Sequence, residues 1–266
     1  MYHIPIVADA HFNSTVALCA PKTELEHGFY KMDDSQKWLW DNWLEFISRV
    51  PDNSDMVLFN GDMADGDEKK HAYEIITENP AFIVRNASAG LEPLTNKCKE
   101  LWFVKGTPAH VGKSGNLEEL LAYDLGGMKI GNNHAHYELK LNIGGVRIDI
   151  SHPRPVSLVP HLRGMTATRY AFRIWTEYNL RREKPPDLVI RSHGHLKGDS
   201  HDEYPTRCIF TPCWSNTTEY GYRVAHGALP DIGAIILHID SGHYEIEPFN
   251  VPKPRVVWQK ISPKSK

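Results

Sequence analysis

Asp55-Met56-Val57-Leu58-Phe59-Asn60-Gly61-Asp62-Met63-Ala64-Asp65 is the stretch on which the reading of this chain turns. Asp55 to Asn60 is an apolar run of the right length for one buried strand, and it stops on a glycine followed by two acids three positions apart. In open α/β sheets the reactive loops gather outside the carboxyl ends of the strands, so acids placed there point to chemistry. Working outward, the same arrangement recurs. Tyr2 to Ala8 reads as a strand ending at Asp9-Ala10-His11, and Glu100 to Lys105 as one ending at Gly106-Thr107-Pro108-Ala109-His110. Val146 to Ile150 leads into Ser151-His152, and Asp187 to Ile190 precedes His193-Gly194-His195. Taken singly, an acid and a histidine after a strand are a cap and a surface hydrogen bond, and His-x-His is an alternating strand edge. Five such loops in succession are better explained by convergence on one site.

The segments between the strands carry helical spacing. From Asp34 to Val50 the apolar residues Leu39, Trp43, Phe46, Ile47 and Val50 fall three and four apart, with Asp34 or Ser35 as cap and Pro51 as stop. Trp38, Trp40 and Trp43 are placed for packing of that helix. Glu68 to Ile76, Asn116 to Leu125 and Arg163 to Glu183 also read as helices. Tyr137 to Ile143, a Gly144-Gly145 turn and Val146 to Ile150 read as a hairpin. Ile209 to Pro212, Gly233 to Ile239 and Tyr244 to Glu247 add strands. Without an internal repeat or low-complexity linker, residues 1–251 form one expected domain, followed at 252–266 by a basic tail with Lys253, Arg255, Lys260, Lys264 and Lys266.

With 41% hydrophobic and 24% charged residues among 266, the chain can enclose a substantial core. A net charge of -3 exerts no global pull on nucleic acid or acidic membranes, so any such affinity needs a local patch. Cys19, Cys98, Cys208 and Cys213 are scattered, which argues against a zinc ribbon or a disulfide framework and for reduced thiols. Neither a leader pattern nor 18 consecutive apolar residues occurs, so a cytoplasmic protein without membrane partners is expected. Fifteen histidines are a surplus that raises the prior for a transition-metal site.

The succession D-x-H, G-D-x-x-D, a Gly-containing loop with histidine, an isolated histidine and x-H-x-H resembles the calcineurin-like metallophosphoesterase superfamily from Ile4 to His195. The G-T-x-x-H third loop is similar to phage and prophage members, for which the host cytoplasm would be the compartment. The resemblance implies an α/β sandwich of two mixed β-sheets face to face, flanked by helices, with metals at one edge. It implies that Asp9, His11, Asp62 and His195 bind one metal and Asp62, His152 and His193 a second, with Asp62 bridging. Two carboxylates and four imidazoles suit manganese foremost, with iron, nickel, cobalt or zinc as alternatives. Two divalent cations about 3.5–4 Å apart can share a bridging hydroxide and stabilise attacking and leaving oxygens of a phosphoester.

The third loop departs from the pattern. Thr107 stands where the superfamily places an asparagine ligand, and His110 follows three positions later. His110 takes either the catalytic role at the leaving oxygen or a ligand role, and Thr107 is a candidate ligand. Asp65 is expected to support the site through hydrogen bonds. Ser192 replaces the usual glycine before His193, a change expected to matter little. Gly131 to His136, with Asn133, reads as a polar turn, or else supplies the missing asparagine.

Arg163 to Lys184 interleaves Arg163, Arg169 and Arg173 with Tyr170, Phe172 and Trp175. It is a helix with an aromatic core face, or a phosphate- and base-contacting surface. The favoured expectation is hydrolysis of a phosphodiester in a nucleotide or nucleic acid. The alternatives are a phosphomonoesterase and an inactive, metal-stabilised nucleic-acid-binding module.

Overall fold

In the computed structural model, residues 1–66, 74–155, 157, 159–224, 227–254, 258 and 259 are described. The first sheet runs, in spatial order, β13 (His243–Asn250), β12 (Gly233–Asp240), β1 (Tyr2–Val7), β4 (Ser54–Asn60), β5 (Cys98–Val104) and β6 (Ala135–His136). The β1, β4, β5 and β6 strands are parallel, while β12 is antiparallel to both neighbours. The second sheet runs β10 (Gly198–Asp199), β11 (Arg207–Phe210), β9 (Leu188–Arg191), β8 (Val146–Ser151) and β7 (Glu138–Ile143). Its β11, β9 and β8 are parallel. A separate pair, β2 (Glu24–Leu25) and β3 (Gly28–Phe29), lies outside both.

Strand alternation builds the layers. Ile4, Ile6, Leu58, Leu237 and Ile239 of the first sheet meet Leu139, Ile148, Ile150 and Ile190 of the second in an apolar seam. The residues between them, Val7, Val57 and Phe59, face the other way onto the helices. There they meet α1 (Asp34–Arg49), α2 (Pro80–Thr95) and α4 (Asn116–Asp124) through Leu39, Trp43, Phe46, Leu91, Leu94 and Leu121. On the second sheet, Val189, Cys208 and Phe210 receive Ala167, Ala171 and Ile174 of α5 (Arg163–Leu180). This is the expected α/β sandwich of two mixed sheets between helices. Short α3 (Pro108–Val111) and α6 (Glu219–Val224) complete the helices described.

Several local expectations need correction. The cap of α1 is Asp33, whose side chain accepts from the Gln36 backbone while Gln36 bonds back, a reciprocal pair that outcompetes Asp34 and Ser35. Most of the helix expected at Glu68 to Ile76 lies outside the described residues, but Ile75 bridges Ser14 in extended form. Tyr137 is not in a strand: β6 pairs with β5 in the first sheet and β7 with β8 in the second, so the chain changes sheets there. The α2 helix has no counterpart in the sequence reading. Of the basic tail, Lys253 bonds the Leu229 carbonyl and pairs with Asp231, while Arg255, Lys260, Lys264 and Lys266 lie outside the described residues. All four cysteines are free thiols. Among the described residues, no helix is long and apolar enough to cross a membrane.

Candidate metal centre

Parallel register brings the loops together. Val7 opposite Phe59 delivers Asp9 beside Asp62, and Asn60 opposite Val104 places the Gly106-Thr107 loop next in line. In the other sheet, Ile150 opposite Ile190 delivers His152 beside His193. The two edges are tied where they meet: Asn60 donates its side-chain amide to the Ser151 carbonyl (3.3 Å) and to Ser192 Oγ (2.6 Å). Ser192 Oγ is also 2.8 Å from Thr211 Oγ1, and Ser192 is fully buried. The substitution for glycine, expected to be inconsequential, is therefore part of the join between the sheets.

Three groups of ligand atoms result, each mutually within 4.8 Å: Asp9 with His11 and His195, Asp62 with His152 and His193, and His11 with Asp62 and His110. Asp9, Asp62 and His152 are fully buried. His11 Nε2 and His195 Nε2 face each other at 3.0 Å, and His195 Nε2 lies 3.3 Å from Asp9 Oδ1. His152 donates through Nδ1 to the Asn60 carbonyl at 2.7 Å, which turns Nε2 toward Asp62 Oδ2 at 2.9 Å. Asp9 Oδ1 and His193 Nδ1 are buried without a hydrogen-bond partner among the described residues. Buried polar atoms left unpaired and lone pairs aimed at one another are costly unless a cation is held between them, so this donor set fits divalent metals.

Backbone conformation supports the same conclusion. Asp9, His11, Asp62, His193 and His195 all have positive φ, between 47° and 71°. Non-glycine residues are uncommon in that region and concentrate where a site imposes them.

Asp65 orients two rings at once: its Oδ1 accepts from His11 Nδ1 at 2.7 Å and from His110 Nδ1 at 2.8 Å. Thr107 contacts Asp62, its backbone donating at 2.7 Å and its hydroxyl lying 3.1 Å from Oδ2. Gly106 leaves no room for a side chain, since a Cβ there would lie 2.0 Å from Asp62 Oδ1. The Asn133 turn stays apart: Asn133 bridges Ile130, and His134 bonds Glu119 instead. On α5, Arg173 pairs with Glu177 and Arg169 is exposed. Arg163 comes nearest the cluster, through Asp231, whose backbone donates to the His195 carbonyl.

Burial by itself would raise the carboxyls of Asp9 and Asp62, yet His152 and the other histidines hold both well below the usual carboxylate range. Burial would lower His152, but Asp62 and Asp9 push it up to about 9. Burial and the neighbouring His11 lower His110, and Asp65, with Asp62 behind it, more than offsets them and raises it. Burial dominates at His195 and lowers it.

The sequence reading overlooked Glu118. It is fully buried on α4, and its carboxylate accepts from Met63 N at 3.0 Å and from Gly106 N. It thus fastens the Asp62 loop to the third loop, and burial, then Asp62, pushes it up to about 7. A signal existed: Glu118 shares a helix face with Leu121 and Ala122, three and four positions on.

No family model matches the chain, and no curated protein sequence matches it. Among solved structures, the chain is similar to a dimetal phosphatase from Danio rerio, at 11% identity and a TM-score of 0.45 over 93% of this chain and 95% of that one. It is similar to Vacuolar Protein Sorting 29 from Cryptosporidium parvum, at 11% identity and a TM-score of 0.40 over 95% and 98%. A protein from Thermotoga maritima aligns at 13% identity and a TM-score of 0.38, over 94% of this chain and 100% of that one.

Proposed function

We propose that this chain is a binuclear metal-dependent phosphoesterase. The observation that carries the reading is that Asp62 belongs to two of the ligand groups at once, with His11 and His110 in one and with His152 and His193 in the other, and that His11 also belongs to the group of Asp9 and His195. Asp9, His11, His195 and Asp62 would hold one ion, and Asp62, His152 and His193 the second. Bound there, two divalent cations of the manganese, iron, nickel, cobalt or zinc class supply positive charge that polarises a phosphoester and lowers the pKa of water.

The remaining steps belong to the chain's own groups. His110 holds a proton for the leaving oxygen, because Asp65 takes its Nδ1–H and favours the charged ring. Asp65 presents His11 by the same oxygen. Thr107 acts on Asp62 through its amide and hydroxyl, which supports an orienting role over a ligand role. Within the class, we take a phosphodiester of a nucleotide or nucleic acid as substrate. Phe172 and Trp175 stack at 6.1 Å on α5 among Arg169 and Arg173, and α5 begins at Arg163 beside Asp231, which supports contact with bases and phosphates.

Manganese-dependent rates on bis-p-nitrophenyl and mono-p-nitrophenyl phosphate test this. Higher kcat/KM on the diester is expected, and preference for the monoester would assign a phosphomonoesterase. Metal uptake without turnover on either ester, with salt-sensitive retention of nucleic acid, would assign an inactive binding module. Asp62→Asn is expected to abolish hydrolysis, and wild-type turnover in that variant would refute the bridging role.

A further inference from the structure

The His193-Gly194-His195 turn gives one histidine to each of the two ion groups, and both histidines have left-handed backbone, at φ 71° and 52°. Such a turn is not a resting conformation for these residues, so something must hold it. Its C-terminal end is fastened by Asp231, whose backbone donates to the His195 carbonyl at 2.8 Å. Its middle is held by an arginine. The Arg154 guanidinium lies over the Phe210 ring, 4.3 Å from the ring centre, and donates through Nη2 to the Leu196 carbonyl. The same group covers Gly194 so closely that a Cβ on that residue would lie 2.4 Å from Nη2, 2.6 Å from Cζ and 2.8 Å from Nε. The planar group thus packs against both an aromatic ring and the backbone midway between two histidines of the ion groups.

Asp9 and Asp231 attract this arginine, but hydrogen bonding alone does not account for the placement of its flat group. Among the described residues, Nε is buried without a hydrogen-bond partner. A partly buried guanidinium that leaves Nε unused does not stabilise a fold through polar satisfaction. What the flat cation supplies is shape: a rigid plate filling the space between Phe210 and Gly194, with one bond to the carbonyl that closes the turn.

We propose that Arg154 is the positioning residue that holds His193 and His195 in the conformation that receives both ions, and that this guanidinium is what requires glycine at position 194. The inference rests on the metal-centre reading above for its ligand, but the clamp itself is testable without it.

The test compares Arg154→Ala, Arg154→Lys, Gly194→Ala and the Arg154→Ala/Gly194→Ala double variant. Co²⁺ is titrated by calorimetry, its visible d–d spectrum is recorded, and the metal-free melting temperature is measured. Arg154→Ala and Gly194→Ala are each expected to weaken Co²⁺ binding about 10- to 100-fold and to alter the spectrum, as loss of a ligand-orienting contact does. The double variant is expected to bind no worse than Arg154→Ala, because the added methyl no longer meets the guanidinium. Arg154→Lys, with charge but no flat face, is expected to recover little, and it carries the comparison should the alanine variant not fold. Wild-type affinity and spectrum in Arg154→Ala would overturn the proposal, as would a Gly194→Ala penalty that persists undiminished beside Arg154→Ala. If the wild type takes up no Co²⁺, the metal-centre reading fails, and the clamp is then judged by melting temperature. Non-additive losses uphold contact control of the turn, and additive losses overturn it.

Discussion

His152 Nε2 and Asp62 Oδ2 lie 2.9 Å apart, while the other nitrogen of the same ring is already donating to the Asn60 carbonyl. Only a proton or a metal ion can occupy the remaining contact favourably, so the two compete for it. The competition fixes the sign of a pH effect. His152 titrates near 6.5 in an unfolded chain and is pushed up to about 9 in the metal-free fold. Its contribution to stability is therefore full below about pH 6.5 and is lost as the pH rises through 9. Metal binding, which needs the deprotonated ring, strengthens over the same interval. The rise in melting temperature caused by saturating Mn²⁺ should be several degrees larger at the upper end of that interval than at the lower, as scanning calorimetry would measure. An equal rise at both ends would refute the competition.

One oxygen of Asp65 serves both His11 and His110, so in the proposed reading the acid sets the basicity of the proton donor as well as the aim of a ligand. Asp65→Asn retains an acceptor but removes the charge that keeps His110 protonated. General acid catalysis is worth about 10²–10⁴-fold, and it matters most when the leaving oxygen is a poor one. Turnover of a phenyl ester is expected to fall about 100-fold or more, and that of a p-nitrophenyl ester much less. Asp65→Asn added to His110→Ala should cost less than Asp65→Asn alone, because the part that acts through His110 is already lost and only the part that aims His11 remains. Equal losses on both esters would remove His110 from the acid role.

The gathering of Asp9, His11, Asp62, His152, His193 and His195 was legible because each follows an apolar strand, and parallel strands necessarily deliver their carboxyl ends to one edge. What escaped the sequence depends on contacts between distant segments. Pro80, Gly90 and Pro93 are poor helix formers, yet Pro80 stands in the first turn, where no backbone donor is needed, Asn79 caps that turn, and Pro93 comes only near the end of α2. The change of sheet at Tyr137 leaves the alternation of apolar residues unaltered, so periodicity could not show it. Ser192 and Arg154 acquire their roles only when the two sheets meet and the His193 turn closes over Phe210. Glu118 was visible in principle, as the one acid on an apolar helix face.

Glu118 is the acceptor for two backbone donors that have come in from separate loops, at Met63 and Gly106. Glu118→Ala leaves both amides unsatisfied, at a cost of roughly 1–3 kcal/mol each, and unfastens Asp62 from the third loop. Chemical denaturation should show a loss of roughly 2–5 kcal/mol in the metal-free protein. Mn²⁺ affinity should fall as well, because the Asp62 loop is no longer fixed. A variant with unchanged stability would show that water replaces the carboxylate at both amides.

Just before the strand ends that carry His152 and His193, Arg191 and Asp149 form a buried pair at 2.8 Å, with Arg191 also donating to the Asp149 and Ile190 carbonyls. Lys140 reaches the second carboxylate oxygen at 2.9 Å. Removing one partner of such a pair strands the other charge out of water, which typically costs 3–5 kcal/mol, whereas exposed pairs contribute little. Asp149→Ala should therefore destabilise the protein strongly, while Glu177→Ala, which breaks the exposed pair with Arg173 on α5, should leave the denaturation midpoint almost unmoved. Because β8 and β9 carry both Asp149 and Arg191 and end at His152 and His193, folded Asp149→Ala protein should also bind metal less tightly. Calorimetric titration below the melting temperature measures that coupling. Wild-type affinity in the destabilised variant would mean that the strand ends hold their geometry independently of the pair beneath them.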